Sequence, residues 1–109
     1  MAETSGYFLY QFDPVRPELI TEPDAWGEDD LRLAEEHFGY LQRATADGVV
    51  LLAGRSPDAS GPAIVLLYAS SRDEALRFMR SDPFVAGGLM RASLHPFRPA
   101  LLERWFDRA

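Results

Sequence analysis

The chain of 109 residues has no cysteine, which removes disulfides, thiolate metal sites and cysteine nucleophiles from consideration and points to the cytoplasm as the expected location. Long apolar runs are also missing. None approaches the roughly 18 residues that a membrane-spanning helix needs, and Met1-Ala2-Glu3-Thr4-Ser5-Gly6 has no basic region followed by an apolar one. A soluble chain kept inside the cell is expected, with no membrane partner. Basic residues are in deficit: 11 Lys and Arg stand against 17 Asp and Glu, for a formal charge of -6. Phosphate backbones and anionic headgroups would be repelled, so nucleic acid is not an expected partner. There is no internal repeat and no low-complexity segment. Ser56, Ser60, Ser70 and Ser71 lie outside any Gly-x-Ser-x-Gly pattern. Gly87-Gly88 lacks the other positions of a phosphate-binding loop and is read as backbone geometry ahead of a strand.

What is present suits one compact domain, since 47% of the residues are hydrophobic. The expected core covers about residues 5–98, with 99–109 as a tail. Tyr7 to Phe12 is aromatic and apolar, ends at Asp13-Pro14 and reads as a strand. From Val15 to Gly27 two prolines and several acids interrupt any period, which predicts a surface connection or lid bordering a site, without an element of its own. A helix is expected from about Glu28 to Asp47. Acids open it at the positive end of the dipole and Gly48 closes it. Leu31, Ala34, Phe38, Leu41 and Thr45 share its expected apolar face.

Val49–Gly54 and Ala63–Ala69 read as two strands of a hairpin with a loop from Ser56 to Pro62. Ser71 and Glu74 form a capping box for a helix over about Arg72–Arg80, which Pro83 cannot continue. Leu89 to Phe97 gives the last strand, and Pro99 to Phe106 has the composition for one or two helical turns. The order β-α-β-β-α-β predicts an α+β fold, a four-stranded antiparallel sheet with both helices on one face. The other face would expose Tyr7, Leu9, Val65 and Leu67. Two coverings are open: a symmetric homodimer with its sheets stacked, aided by Trp105-Phe106, or the tail folded over its own sheet.

His37 falls roughly 80° from the centre of the expected apolar stripe, on a flank shared with Leu33, Tyr40 and Ala44. An imidazole half-buried beside a cleft suits general acid-base chemistry; a histidine there without a catalytic role is the plain alternative. Asp82 before Pro83 is a good N-cap for a short turn through Ala86. A carboxylate fixed in this way can also orient an imidazole, provided the fold brings the two together.

His37, the run Asp47-Gly48-Val49-Val50-Leu51-Leu52-Ala53-Gly54, then Asp82-Pro83-Phe84-Val85-Ala86-Gly87-Gly88-Leu89 and the closing His95-Pro96-Phe97 together resemble the YCII-related (YciI-like) domain family. The resemblance implies a ferredoxin-like fold, assembly into a dimeric α/β barrel, and an active site on a His-Asp pair at His37 and Asp82. Related domains are linked to lyase or dehalogenation-type chemistry on small, often aromatic, molecules. The chain departs from the family at Arg55, where proline is frequent, and in the longer proline-rich stretch from Val15 to Gly27.

Arg55 at a cleft rim is suited to hold a carboxylate or phenolate, although a solvated role is the simpler reading. His95 with His37 and Asp82 shows no recognised ligand spacing, so no metal is expected, and His95 reads as strand-end packing. The leading expectation is a small homodimeric enzyme that uses His37 and Asp82 on a small organic molecule, by elimination or isomerisation and without a cofactor. The alternative is a non-catalytic ligand-binding or interaction module of the same fold. RNA binding by this element order would require a basic sheet with patterned aromatics, which the acidic balance opposes.

Overall fold

In the computed structural model the described residues are 6–102. The chain forms β1 (Gly6–Pro14), α1 (Glu18–Thr21), a 3-10 turn (Pro23–Ala25), α2 (Glu28–Ala46), β2 (Val50–Arg55), β3 (Ala63–Ala69), α3 (Arg72–Ser81), α4 (Pro83–Ala86) and β4 (Met90–Pro96). The strands pair antiparallel throughout in the order β2-β3-β1-β4, the ferredoxin-like arrangement. The expected strands and the two long helices are present, with ends moved by no more than two residues. Expectations for Trp105-Phe106 lie outside the described residues.

Register assigns the faces, because antiparallel partners point the same way. Phe8 stands opposite Leu67, and Tyr10 opposite both Val65 and Leu94. These residues join Leu41, Ala44, Val50, Ala69, Ala75 and Met79 in the main core. Val65 and Leu67, at 0% and 1% exposed, lie deepest among its aliphatic strand residues, and each contributes about 1.5–3 kcal/mol by leaving water. This places Val65 and Leu67 under the helices, contrary to the expectation that they face outward with Tyr7 and Leu9. Odd and even residues of β3 exchange roles because Tyr10, an even residue of β1, pairs with Val65, an odd residue of β3. The second face instead carries Tyr7, Leu9, Leu52, Ile64, Leu66 and Tyr68.

The stretch from Val15 to Gly27 also departs from expectation, since it forms α1 and the 3-10 turn. Its prolines start turns where they were expected to prevent them. Pro17 is helical at the α1 N-cap and Pro23 is the first residue of the 3-10 turn, positions that tolerate a fixed φ and a missing N–H. Leu19, 4% exposed, anchors a second small core with Leu89 and Met90, against which Phe12, Trp26, Leu33 and Phe84 pack. Arg16 is bonded to Asp30 of α2 at 2.6 Å, which ties the segment to the helix.

The inner face of α2 is not the expected stripe. Leu31 and Phe38 are 55% and 66% exposed and Thr45 is exposed, whereas Leu41 and Ala44 are buried and Leu33, His37 and Tyr40 are half-buried. The helix is rotated toward the residues expected on its flank, and Leu41 is common to both stripes. The inward polar groups are satisfied: the Tyr40 hydroxyl donates to the Phe78 carbonyl at 2.7 Å, and His37 meets a carboxylate. A buried polar group that keeps its hydrogen bonds carries little penalty. Gly48, at φ +81°, ends the helix in the left-handed conformation.

Candidate functional site

The site is built where α3 stops. Pro83 cannot continue α3, so Asp82 adopts an extended conformation at φ -61°, ψ 126° and caps the one-turn helix α4. Its Oδ1 accepts the Phe84 N–H at 3.0 Å and lies 2.7 Å from Nδ1 of His37, 45 positions earlier. Oδ2 accepts the Tyr10 hydroxyl at 2.8 Å. Asp82 is 0% exposed, and the His37 side chain retains 16%. Capping and pairing are therefore performed by one carboxylate group, and no buried side-chain polar atom among the described residues lacks a partner.

Close packing of α4 against α2 sustains this geometry. A Cβ on Gly87 would come within 2.6 Å of Leu33 and 2.8 Å of the Pro83 carbonyl. The imidazole of His37 stacks on Phe84, with centroids 3.8 Å apart and planes 11° apart, and the Phe12 ring meets it edge-on at 5.5 Å. Phe84 is supported by Trp26 at 6.3 Å, and the Trp26 indole N–H donates to the Leu19 carbonyl at 2.9 Å. The proline-rich segment thus packs behind the ring on which His37 rests.

Burial, and then the neighbouring Asp82 charge, push the Tyr10 phenol far above its ordinary value, so it acts toward Asp82 only as a donor. The same two causes, in the same order, push Tyr40 up to about 12. Because Oδ1 is a carboxylate acceptor, the hydrogen bond to His37 requires a proton on Nδ1, and in the neutral imidazole that leaves Nε2 with its lone pair. An imidazole held in this way can take a proton at Nε2 while the buried carboxylate stabilises the imidazolium.

The structure brings His37 and Asp82 together, and among the described residues neither Arg55 nor His95 is bonded to them. Arg55 is exposed at the end of edge strand β2. It pairs with Ala63 on the sheet face that carries Val65 and Tyr10, two strands from β1. No hydrogen bond or ion pair among the described residues joins it to the dyad. His95 pairs with Leu9 on the opposite sheet face and lies 3.2 Å from the Ser93 hydroxyl. Two surface hollows lie away from the dyad, one along Glu28, Leu31, Ala34 and Phe38 of α2, the other beside Tyr7, Val50 and Tyr68. Tyr10 and Phe12 were not singled out as site residues from the sequence, and Phe84 entered only as part of the Asp82-Pro83-Phe84 turn, without its stacking role. The signal for Tyr10 was a hydroxyl on an inward-facing strand position, which requires a buried acceptor.

No helix among the described residues is long and apolar enough to cross a membrane. A search of the curated proteins finds no match. Among solved structures the chain is similar to 5-chloro-2-hydroxyhydroquinone dehydrochlorinase (TftG) from Burkholderia phenoliruptrix AC1100, in complex with 2,5-dihydroxybenzoquinone. The identity is 21% and the TM-score 0.57, over 84% of this chain and 93% of that one. That likeness concerns the fold. The profile of the YCII-related domain matches residues 17–98, which include α2, the Asp82 turn and β4, and the chain belongs to the YCII-related domain family.

Proposed function

We propose that the protein is a small-molecule enzyme in which His37 is the general acid or base and Asp82 orients it. The observation that carries this reading is the 2.7 Å contact between Nδ1 and a fully buried carboxylate. In the proposed reaction Nε2 removes a proton from the substrate, Asp82 stabilises the resulting imidazolium, and the proton is returned to a leaving group or to another atom of the substrate. The class is elimination, of lyase or dehalogenation type, or isomerisation. These steps use side chains alone. The dehydrochlorinase of similar fold, bound to a small quinone, supports a small ring compound as substrate. Arg55 is the proposed rim group for a substrate carboxylate or phenolate, a contact that guanidinium geometry favours.

A second copy of the chain is the proposed cover for the second sheet face, where Leu52 and Tyr68 are 53% and 44% exposed. Light scattering of the full chain should give twice the monomer mass, and Leu52→Glu should halve it; a monomeric wild type would remove this part of the proposal.

The catalytic reading is tested by thermal-shift screening of small aromatic acids, keto acids and hydroxylated quinones, followed by turnover of each hit. His37→Ala should still bind a hit but lose about 100-fold or more in kcat. Arg55→Gln should raise KM with little change in kcat. Hits that bind wild type and His37→Ala alike, and that neither protein turns over, would assign the fold here to a non-catalytic binding module.

A further inference from the structure

The geometry points to Tyr10 as a positioning residue that sets how strongly Asp82 pulls on His37, an inference resting on the His37–Asp82 reading above. Tyr10 lies 72 positions from Asp82 in sequence, in the middle of β1, and both are 0% exposed. Its hydroxyl is the only side-chain donor to Oδ2 among the described residues, while Oδ1 is shared by the Phe84 N–H and His37. Its ring is fixed by Phe12, with centroids 5.3 Å apart, and by Phe78 at 6.3 Å. The donor therefore cannot swing away without disturbing both the main core and the wall of the site.

A carboxylate divides its negative charge between two oxygens. A strong donor on Oδ2 draws charge there and makes Oδ1 a weaker acceptor for the Nδ1 proton. No arginine is paired with Asp82 among the described residues, so apart from His37 itself the side-chain carboxylate is met by the Tyr10 hydroxyl and the Phe84 amide. Phe84 is held by the turn itself, which leaves Tyr10 as the adjustable partner. A tyrosine that merely filled the core would place its hydroxyl on any acceptor at hand and leave the imidazole indifferent to the strength of that bond.

The distinguishing measurement is the Nδ1–H proton resonance of His37 in uniformly labelled, folded protein, with His95 as an internal reference. In Tyr10→Phe the resonance should move downfield, because Asp82 turns its full charge on the imidazole. Replacing Tyr10 with 3-fluorotyrosine, a more acidic and stronger donor of nearly the same shape, should move it upfield. Opposite movements of His37 with a stationary His95 support the inference; an unmoved resonance, or movement in the same direction in both proteins, overturns it. If Tyr10→Phe does not fold, the fluorotyrosine protein decides alone, an upfield shift supporting the inference and no shift overturning it. The readout needs no substrate, so it is independent of the turnover comparison with His37→Ala, and either claim can fail without the other.

Discussion

The two long faces of α2 differ in the opposite sense from their composition. The outer face carries Leu31 and Phe38, which are 55% and 66% exposed, while the inner face buries or half-buries His37 and Tyr40 beside Leu41 and Ala44. Apolar area alone would favour turning Leu31 and Phe38 inward. What the inner face gains is a set of satisfied polar contacts: His37 to Asp82, Tyr40 to the Phe78 carbonyl, and through Asp82 the Tyr10 hydroxyl. Each neutral hydrogen bond is worth about 1 kcal/mol net, and a partner left unsatisfied in the interior costs about 1–3 kcal/mol. The orientation of the helix is thus held by a polar cluster as well as by hydrophobic area, and that same cluster forms the candidate site.

This contrast can be broken at several places. The largest effect is expected for Asp82→Ala, which removes the α4 cap and orphans the Tyr10 hydroxyl and His37. Urea unfolding should show a loss of about 3–5 kcal/mol. Leu41→Ala should cost about 2–3 kcal/mol, the low end for a buried leucine. It tests whether the apolar part of the inner face counts for less than its carboxylate partner. Gly87→Ala should cost about 1–2 kcal/mol by pressing α4 away from Leu33, and should weaken the His37–Phe84 stack, seen as a change in the His37 ring-proton shifts. The outer face should be nearly silent: Leu31→Ser and Phe38→Ser are each expected within about 0.5 kcal/mol of wild type. A loss from either comparable to that of Leu41→Ala would mean that the outer face is covered in solution.

The smallest effects come from pH, and their signs differ. Backbone and side-chain donors hold Asp30, Asp58 and Glu74 below their ordinary values. Their contribution is present above the unfolded-chain values near pH 4 and is lost as pH falls through the lower folded values. Tyr40 runs the other way, because its folded value of about 12 exceeds the ordinary 10.0. Between those values the unfolded chain has released a proton that the folded chain retains, so stability falls as pH rises above about 10. Tyr40→Phe should reduce that alkaline slope in thermal melts and leave the part that Tyr10, shifted in the same direction, contributes.

Much of the fold was legible in the sequence because local signals agreed with the final structure. Ser71 with Glu74, Pro83 after Asp82 and Gly48 after the first long helix mark ends that the structure keeps. The prolines of the Val15–Gly27 segment were misread because proline ends a helix from inside but begins one at its first turn. The inner face of α2 was missed because two stripes share Leu41, and periodicity ranks them by apolar content alone. Nothing local distinguishes a histidine with a buried carboxylate partner from one without. Asp82 looked like a cap, and it is one; its second role depends on His37 and on a tyrosine 72 positions earlier. The pairing of His37 with Asp82 was reached through the family resemblance, whereas Tyr10 required the strand register.

In the proposed reaction Asp82 holds the proton of neutral His37 at Nδ1, so that Nε2 faces the chemistry with a free lone pair. Long-range proton–nitrogen correlation of histidine-labelled protein, recorded at a pH where imidazoles are neutral, reads this tautomer directly. The prediction is an Nδ1–H tautomer for His37 in the wild type that reverts in Asp82→Ala to the Nε2–H form preferred by free imidazole side chains. An Nε2–H tautomer for His37 in the wild type would contradict it.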